Sequence, residues 1–438
     1  MCPTASPAKA VFIAIFLLLI TTFSAAQVRS SSEPYVVGPD SHLVFMEYEA
    51  WFGPNAVTFQ GTAAKPFLRS PDMQPVGGGY DSRDPNIIRH HVDWFQSAGL
   101  DGAVIEVTNN VSCIFNSLWF IQKYLPYCTQ AFREMNQNIR DNTGNLYPAW
   151  AGLGTDLKLI PLVGGNDPTV LYPDLDGKTA FEKEVEYFGS RMHQHPELTV
   201  IYQGKPLMLI FLGAAQDPNP ADNPLWLRIN NFIQAHRELR DQYTFRLMAG
   251  YLDSQPGLWM NSFPATGPVE IKPMYDFWSW VDRLNATCTE PMCPYFPSYN
   301  PTAVSSSCGA GTPAREQCQA SSIPRIENLT VSIATAGEYG WSCPNPNAPP
   351  YCPDASLRWS SNQTPTDHGT YTTLDNFMTY AQQLQPIFLI VHQFNEYVQP
   401  DEGFNAQTID DSDVTDLWNT TALDAVTQEI QQYRESLR

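Results

Sequence analysis

The stretch IFLIVHQFNEYVQPDE, residues 387–402, decides how this chain is read. Residues 387–391 form an unbroken apolar run, the pattern of a strand covered on both faces in a parallel sheet. The chain then turns polar at once, with His392, Gln393, Asn395, Glu396, Asp401 and Glu402. Polar groups gathered just past the carboxyl end of a buried strand are how a β/α barrel builds an active site. A carboxylate there, facing a partner from another strand, is an acid/base candidate.

Similar apolar runs recur along the chain. Candidate strands are 42–48, 102–107, 157–163, 206–212, 246–251, 269–274, 331–335 and 387–391. Most are separated by enough residues for a helix. Alternation of strand and helix over this length points to an α/β fold with a parallel sheet, and eight units point to a (β/α)8 TIM barrel. The first helix is the most legible. Asp84 is placed to cap it, Pro85 occupies N1, Ile88, Val92, Phe95 and Ala98 share one face, and Gly99 ends it. Further helices are expected at 224–240, 373–384 and 421–436. Two segments rich in Cys, Pro and Ser, about 287–323 and 342–367, break the rhythm and read as disulfide-pinned loop insertions on the active-site side.

The first residues read as a secretory signal. Lys9 precedes an apolar core at 11–23, and Ser24-Ala25-Ala26 supplies small residues for cleavage before Gln27. Residues 1–26 are therefore expected to leave, and 27–438 to form a single catalytic barrel domain that is secreted and extracellular. Eight cysteines follow the signal: Cys113, Cys128, Cys288, Cys293, Cys308, Cys318, Cys343 and Cys352. An even count in a secreted chain reads as disulfides of undetermined connectivity. Sequons at Asn110, Asn285, Asn328, Asn362 and Asn419 predict N-glycosylation. A net charge of −20 argues against nucleic acid and anionic membranes as partners.

The strand ends carry carboxylates and aromatics and few basic groups. The first ends Glu47-Tyr48-Glu49-Ala50-Trp51, and the second ends at Glu106. Later ends bring Tyr251 and Asp253, then Trp278 and Trp280, then Glu338 and Trp341, then His392, Gln393, Asn395 and Glu396. Sugar sites have this character, because pyranose C–H faces stack on Trp and Tyr while hydroxyls need acid, amide and His partners. The chain has no phosphate-binding loop, no nucleophile elbow and no H-E-x-x-H helix, which argues against nucleotide, serine-hydrolase and zincin chemistry. Glycoside cleavage needs one protonated and one ionised carboxyl group across the scissile bond. Glu396 and Glu106 are the expected pair, with Glu338 and Glu49 in reserve. Asn395, His392, Gln393, Tyr251, Asp253, Trp51, Trp278, Trp280 and Trp341 are the expected substrate-binding residues. No cofactor and no metal are expected. The acidic run Asp410, Asp411, Asp413 and Asp416 reads as a solvated loop with Asp413 capping a helix, in preference to a calcium site. For His90 and His91, in mid-helix, a surface or packing role is expected.

The segment YDSRDPNIIRHHVDWFQSAGLDGAVIEV, residues 80–107, resembles the early βα unit of the glycoside hydrolase family 99/71-like barrels and their WbsX-like relatives. Tyr80, Ser82, Asp84, Pro85, Ile88, His91, Ala98, Gly99, Asp101 and Gly102 match their Y-x-S-x-D-P-x-x-I-x-x-H and A-G-I-D-G pattern. Glu49-Ala50-Trp51-Phe52-Gly53, Lys205-Pro206 and Asn395-Glu396-Tyr397 resemble further short motifs of the group. The resemblance implies a (β/α)8 fold, action on a glycan and a catalytic suggestion for Glu396. The H-I-E-P-Y segment that carries the acidic pair of the family 99 endomannosidases is absent, so their activity is not implied. The expected protein is a secreted glycoside hydrolase acting on a poly- or oligosaccharide. The alternatives are a non-catalytic carbohydrate-binding protein on a degenerate barrel and a glycosyl-transfer enzyme.

Overall fold

The computed structural model describes residues 33–56, 79–107, 130–164, 177–211, 225–249, 277–279, 328–332, 385–395, 412–414 and 420–438, with positions 374, 378, 379 and 381–383 in helical conformation. The expected signal peptide, every cysteine and both expected insertions lie outside these residues.

The described strands are β1 (Tyr35–Val36), β2 (Leu43–Glu49), β3 (Gly102–Glu106), β4 (Lys158–Gly164), β5 (Val200–Tyr202), β6 (Lys205–Phe211), β7 (Thr244–Ala249), β8 (Phe277–Ser279), β9 (Asn328–Ser332) and β10 (Phe388–His392). The helices are α1 (Pro85–Ser97), α2 (Gln130–Leu153), α3 (Ala180–Gln194), α4 (Leu225–Ala235), α5 (Arg237–Gln242) and α6 (Thr421–Ser436). Eight strands pair in parallel in the order β9-β10-β2-β3-β4-β6-β7-β8. The last described strand, β10, therefore pairs with the first long one, β2. At the two ends of the order, β8 and β9 have Cα atoms within 8 Å of each other.

The period of two along each strand sorts the core into two layers. Val44, Met46 and Tyr48 of β2, Ala103 and Ile105 of β3, and Leu389 and Val391 of β10 pack with Ile88, Val92 and Phe95 of α1 and with the other helices. The alternate residues, Leu43, Phe45, Val104, Ile160, Leu162, Leu207, Leu209, Phe388 and Ile390, form a second apolar cluster on the opposite face. Each such side chain contributes about 1.5–3 kcal/mol by leaving water. Gly102 belongs to that inner layer. A Cβ there would lie 2.0 Å from the Lys158 carbonyl oxygen and 2.7 Å from the Phe45 ring, so the strands and the ring fit only around glycine.

The short ribbon β1–β5 was not expected. It joins the sheet through an antiparallel β5–β6 hairpin whose turn residues, Gln203 and Gly204, have φ of 52° and 81°. Positive φ at both central positions is what a type I′ turn requires. Val200 and Tyr202 of this hairpin pack into the inner cluster at the amino ends of the strands.

The helices follow their local chemistry. Asp84 caps α1 by accepting from the Asn86 amide at 2.8 Å, Pro85 starts it, and Gly99 leaves it with φ +78°. Thr179 and Glu182 form a reciprocal capping box at the start of α3. The helix expected at 224–240 is divided at His236 into α4 and α5. α6 starts at Thr421 as expected, and its Arg434 pairs with Asp101 and donates to the His42 carbonyl, locking it beneath the first strand. The residues that follow Asp413 in its expected cap, 415–419, lie outside the described residues. Asp413 Oδ1 accepts from the Val414 amide and its Oδ2 from the Tyr80 hydroxyl.

Expected strands one to five and eight are found within three residues of their bounds. The seventh is described as Asn328–Ser332 against the expected 331–335, and the sixth of the eight parallel strands in chain order is Phe277–Ser279, whereas 269–274 lies outside the described residues. The sequon at Asn328 falls inside β9. In the structure Leu329 and Val331 face the helices, which turns Asn328 and Thr330 to the inner face. Asn328, an expected glycosylation site, is 1% exposed and paired on β10.

Candidate functional site

The inner face changes character toward the carboxyl ends of the strands. Phe45 is followed on the same side of β2 by Glu47 and Glu49, and Val104 on β3 is followed by Glu106. The register places Glu49 directly opposite Glu106. Phe388 and Ile390 on β10 lead to His392, which hydrogen-bonds through Nδ1 to the Glu47 carboxylate. Glu47, Glu49 and Glu106 are 1%, 0% and 3% exposed. One oxygen from each lies within 4.8 Å of the others. The same apolar strands that build the inner layer thus end in three convergent carboxylates and an imidazole.

A framework of polar contacts holds these strand ends. The Phe52 amide donates to Ser82 Oγ at 3.1 Å, and the Ser82 amide donates to the Phe52 carbonyl at 2.9 Å. Trp51 donates its indole N–H to the Glu106 carbonyl at 3.4 Å. The Tyr48 hydroxyl meets His91 Nδ1 at 3.0 Å on the outer side of β2. Burial pushes His91 down to about 3, so the imidazole is neutral at physiological pH, and burial first, then Asp413 and Glu49, pushes the Tyr48 phenol up. His91 packs edge-on against Phe394 and stacks near Trp94, the packing role expected, while His90 is exposed.

Of the expected catalytic residues, Glu106 and Glu49 are brought together. Glu396 and Glu338 lie outside the described residues, as do Tyr251, Asp253, Trp280 and Trp341. Trp278 is described only through its backbone in β8. Several expected substrate-binding residues turn inward to the protein. His392 serves Glu47. Gln393 is buried, and its carbonyl accepts from the Ser412 hydroxyl at 3.1 Å. Asn395 bonds both backbone groups of Glu49, at 2.8 and 2.9 Å. Trp51 is 5% exposed and its N–H is engaged by the Glu106 carbonyl. Sequons Asn110, Asn285, Asn362 and Asn419 also lie outside the described residues.

Glu47 was passed over as a site residue, although it shares parity with Phe45 and Glu49. An i, i+2 pair of carboxylates at the end of an apolar strand was the available signal. Tyr80 and Asp413 were also passed over, because their partners are about 315 and 333 residues away in the chain. Among the described residues, Glu47, Glu49 and Glu106 supply hard oxygen donors close enough to hold a divalent cation such as Ca²⁺ or Mg²⁺, which the sequence reading did not expect.

No family model matches this chain, and no curated protein matches it. Among solved structures, the GH99 endo-alpha-mannosidase from Bacteroides thetaiotaomicron aligns with 90% of this chain and 98% of its own at 13% identity and a TM-score of 0.45. The same enzyme in complex with bis-tris-propane aligns at 14% identity and 0.45 over the same shares of each chain. A glycoside hydrolase-like protein aligns with 90% of this chain and 94% of its own at 11% identity and 0.46. Likeness at this level carries no weight in the functional reading, which rests on the residues themselves.

Proposed function

We propose that this protein is a secreted glycoside hydrolase that cleaves glycosidic bonds in a poly- or oligosaccharide with paired carboxylates. The observation that carries the reading is the cross-strand register of Glu49 and Glu106 on the inner face, with oxygens within 4.8 Å. Such an approach is closer than the roughly 6.5–9.5 Å that inversion needs for an intervening water, which favours a nucleophile and an acid/base in a retaining mechanism. One carboxyl protonates the leaving oxygen while the other attacks the anomeric carbon, and water then releases the sugar. Glu396, next to the clamped Asn395, is a further candidate carboxylate. The order of the eight parallel strands and the approach of β8 to β9 support closure into a (β/α)8 barrel.

The test is product formation from a panel of poly- and oligosaccharides, followed by Glu106→Gln and Glu49→Gln. Each substitution is expected to lower turnover by about 10³-fold while binding persists. A wild-type protein that binds glycans and releases no product would favour the carbohydrate-binding alternative. Product that forms only with an acceptor sugar present would favour glycosyl transfer.

A further inference from the structure

β10 stops at His392, yet its pairing with β2 is prolonged by a side chain. The Asn395 amide does what a neighbouring strand would do for Glu49. Its Oδ1 accepts from the Glu49 N–H at 2.8 Å and its Nδ2 donates to the Glu49 carbonyl at 2.9 Å. Nδ2 also donates to the Tyr80 hydroxyl at 2.8 Å, and that hydroxyl donates to Asp413 Oδ2 at 3.1 Å. Asp413 is anchored in turn, its amide donating to the Phe394 carbonyl at 2.9 Å.

The chemistry of these groups fixes the direction of the chain. Tyr80 has a single hydroxyl proton, and it is donated to Asp413 Oδ2. The Tyr80 oxygen must then accept, which requires the NH₂ side of Asn395 to face it. The carbonyl side of the amide is thereby left for the Glu49 N–H. A flipped amide would set two acceptors against each other at Tyr80 and two donors at the Glu49 amide. Both Asn395 N–H groups are engaged within the protein.

We infer that Asn395 is a positioning residue that holds Glu49 opposite Glu106, with its orientation set by Tyr80 and Asp413. The inference rests on the reading of Glu49 as a reacting carboxylate. It replaces the expected contact between Asn395 and a sugar hydroxyl with a contact that aligns the site. Asn395 and Tyr80 enter the chemistry only through Glu49.

Two readouts separate this inference from the reading it rests on. The first, independent of activity, is amide hydrogen exchange at Glu49. Tyr80→Phe and Asp413→Ala should each speed exchange at Glu49 by about 10-fold, while Asp413→Asn, which keeps an acceptor for the Tyr80 hydroxyl, should restore most of the protection. Exchange at Phe45 in the same strand should not move. Unchanged exchange at Glu49 would overturn the clasp whatever the enzyme does. The second readout is turnover of the 4-nitrophenyl glycoside on which the full-length mature protein is most active. Tyr80→Phe and Asp413→Ala should lower kcat by about 10-fold with KM within twofold, and Asp413→Asn should recover kcat. A raised KM with unchanged kcat would show that these residues bind substrate and would overturn positioning. Faster exchange with unchanged kcat would keep the clasp and remove Glu49 from the chemistry.

Discussion

His392 on β10 and Glu47 on β2 face each other across neighbouring parallel strands, and the imidazole Nδ1 is hydrogen-bonded to the Glu47 carboxylate. Both side chains are buried, so little water screens the pair. The contact joins the last described strand to the first long one at the level of the carboxylate cluster. It also accounts for His392 as part of the site's internal wiring.

Removing the imidazole should therefore cost more than its packing. His392→Ala leaves the Glu47 carboxylate buried beside two others, and a loss of about 3 kcal/mol is expected. Glu47→Gln retains an acceptor for the ring and should cost less than half as much. Urea denaturation of the two variants checks the order. A His392→Ala protein within about 0.5 kcal/mol of wild type would show that the pair contributes nothing.

Glu184 on α3 is buried without a hydrogen bond to either oxygen among the described residues. Burial pushes its carboxyl from 4.5 up to about 7, opposed by Arg140 and reinforced by Asp141. The folded state thus holds a proton that the unfolded chain has released, and stability falls as pH rises from about 4.5 to about 7. The difference of about 2.5, at 1.36 kcal/mol each, amounts to roughly 3 kcal/mol once pH exceeds 7. Glu184→Gln should stabilise the protein by up to that amount at pH 8 and by little at pH 4. Equal effects at both pH values would mean the carboxyl is not titrating in this range.

Hydrolysis by paired carboxylates needs no cation. Dialysis against EDTA should leave glycan turnover within about twofold, and Ca²⁺, Mg²⁺ or Mn²⁺ should shift the unfolding temperature by no more than about 1 °C. A rise of several degrees, lost in Glu49→Gln, would instead make the three-carboxylate cluster a metal centre.

Glycopeptide mapping of the protein expressed in a glycosylating host should find Asn328 unmodified. An oligosaccharide on a side chain 1% exposed between two strands would require the sheet to open. Occupancy at Asn328 on folded, soluble protein would contradict the position of β9.

Much of this was legible locally. The α1 boundaries followed from Asp84, Pro85 and Gly99, because capping and φ preferences act within a turn of the chain. The apolar runs located most strands, because a parallel sheet covered on both faces buries consecutive residues. That same uniformity hid the parity. In LVFMEYE all residues are buried, so the sequence does not announce that Phe45, Glu47 and Glu49 share one face and Tyr48 the other. The split of 224–240 at His236 and the β5–β6 hairpin were also missed, since both depend on short segments whose conformations are set by packing.

What the sequence determined by itself is the alternating α/β plan and the supply of carboxylates at strand ends, because hydrophobic period and capping are local properties. Which carboxylates meet was decided only by tertiary structure. Register set Glu49 against Glu106, and a one-residue slip would have turned every side chain of the strand to the other face. The roles of Asn395, Tyr80 and Asp413 were likewise decided there, because their hydrogen bonds close only when segments hundreds of residues apart are brought together by the pairing of β10 with β2.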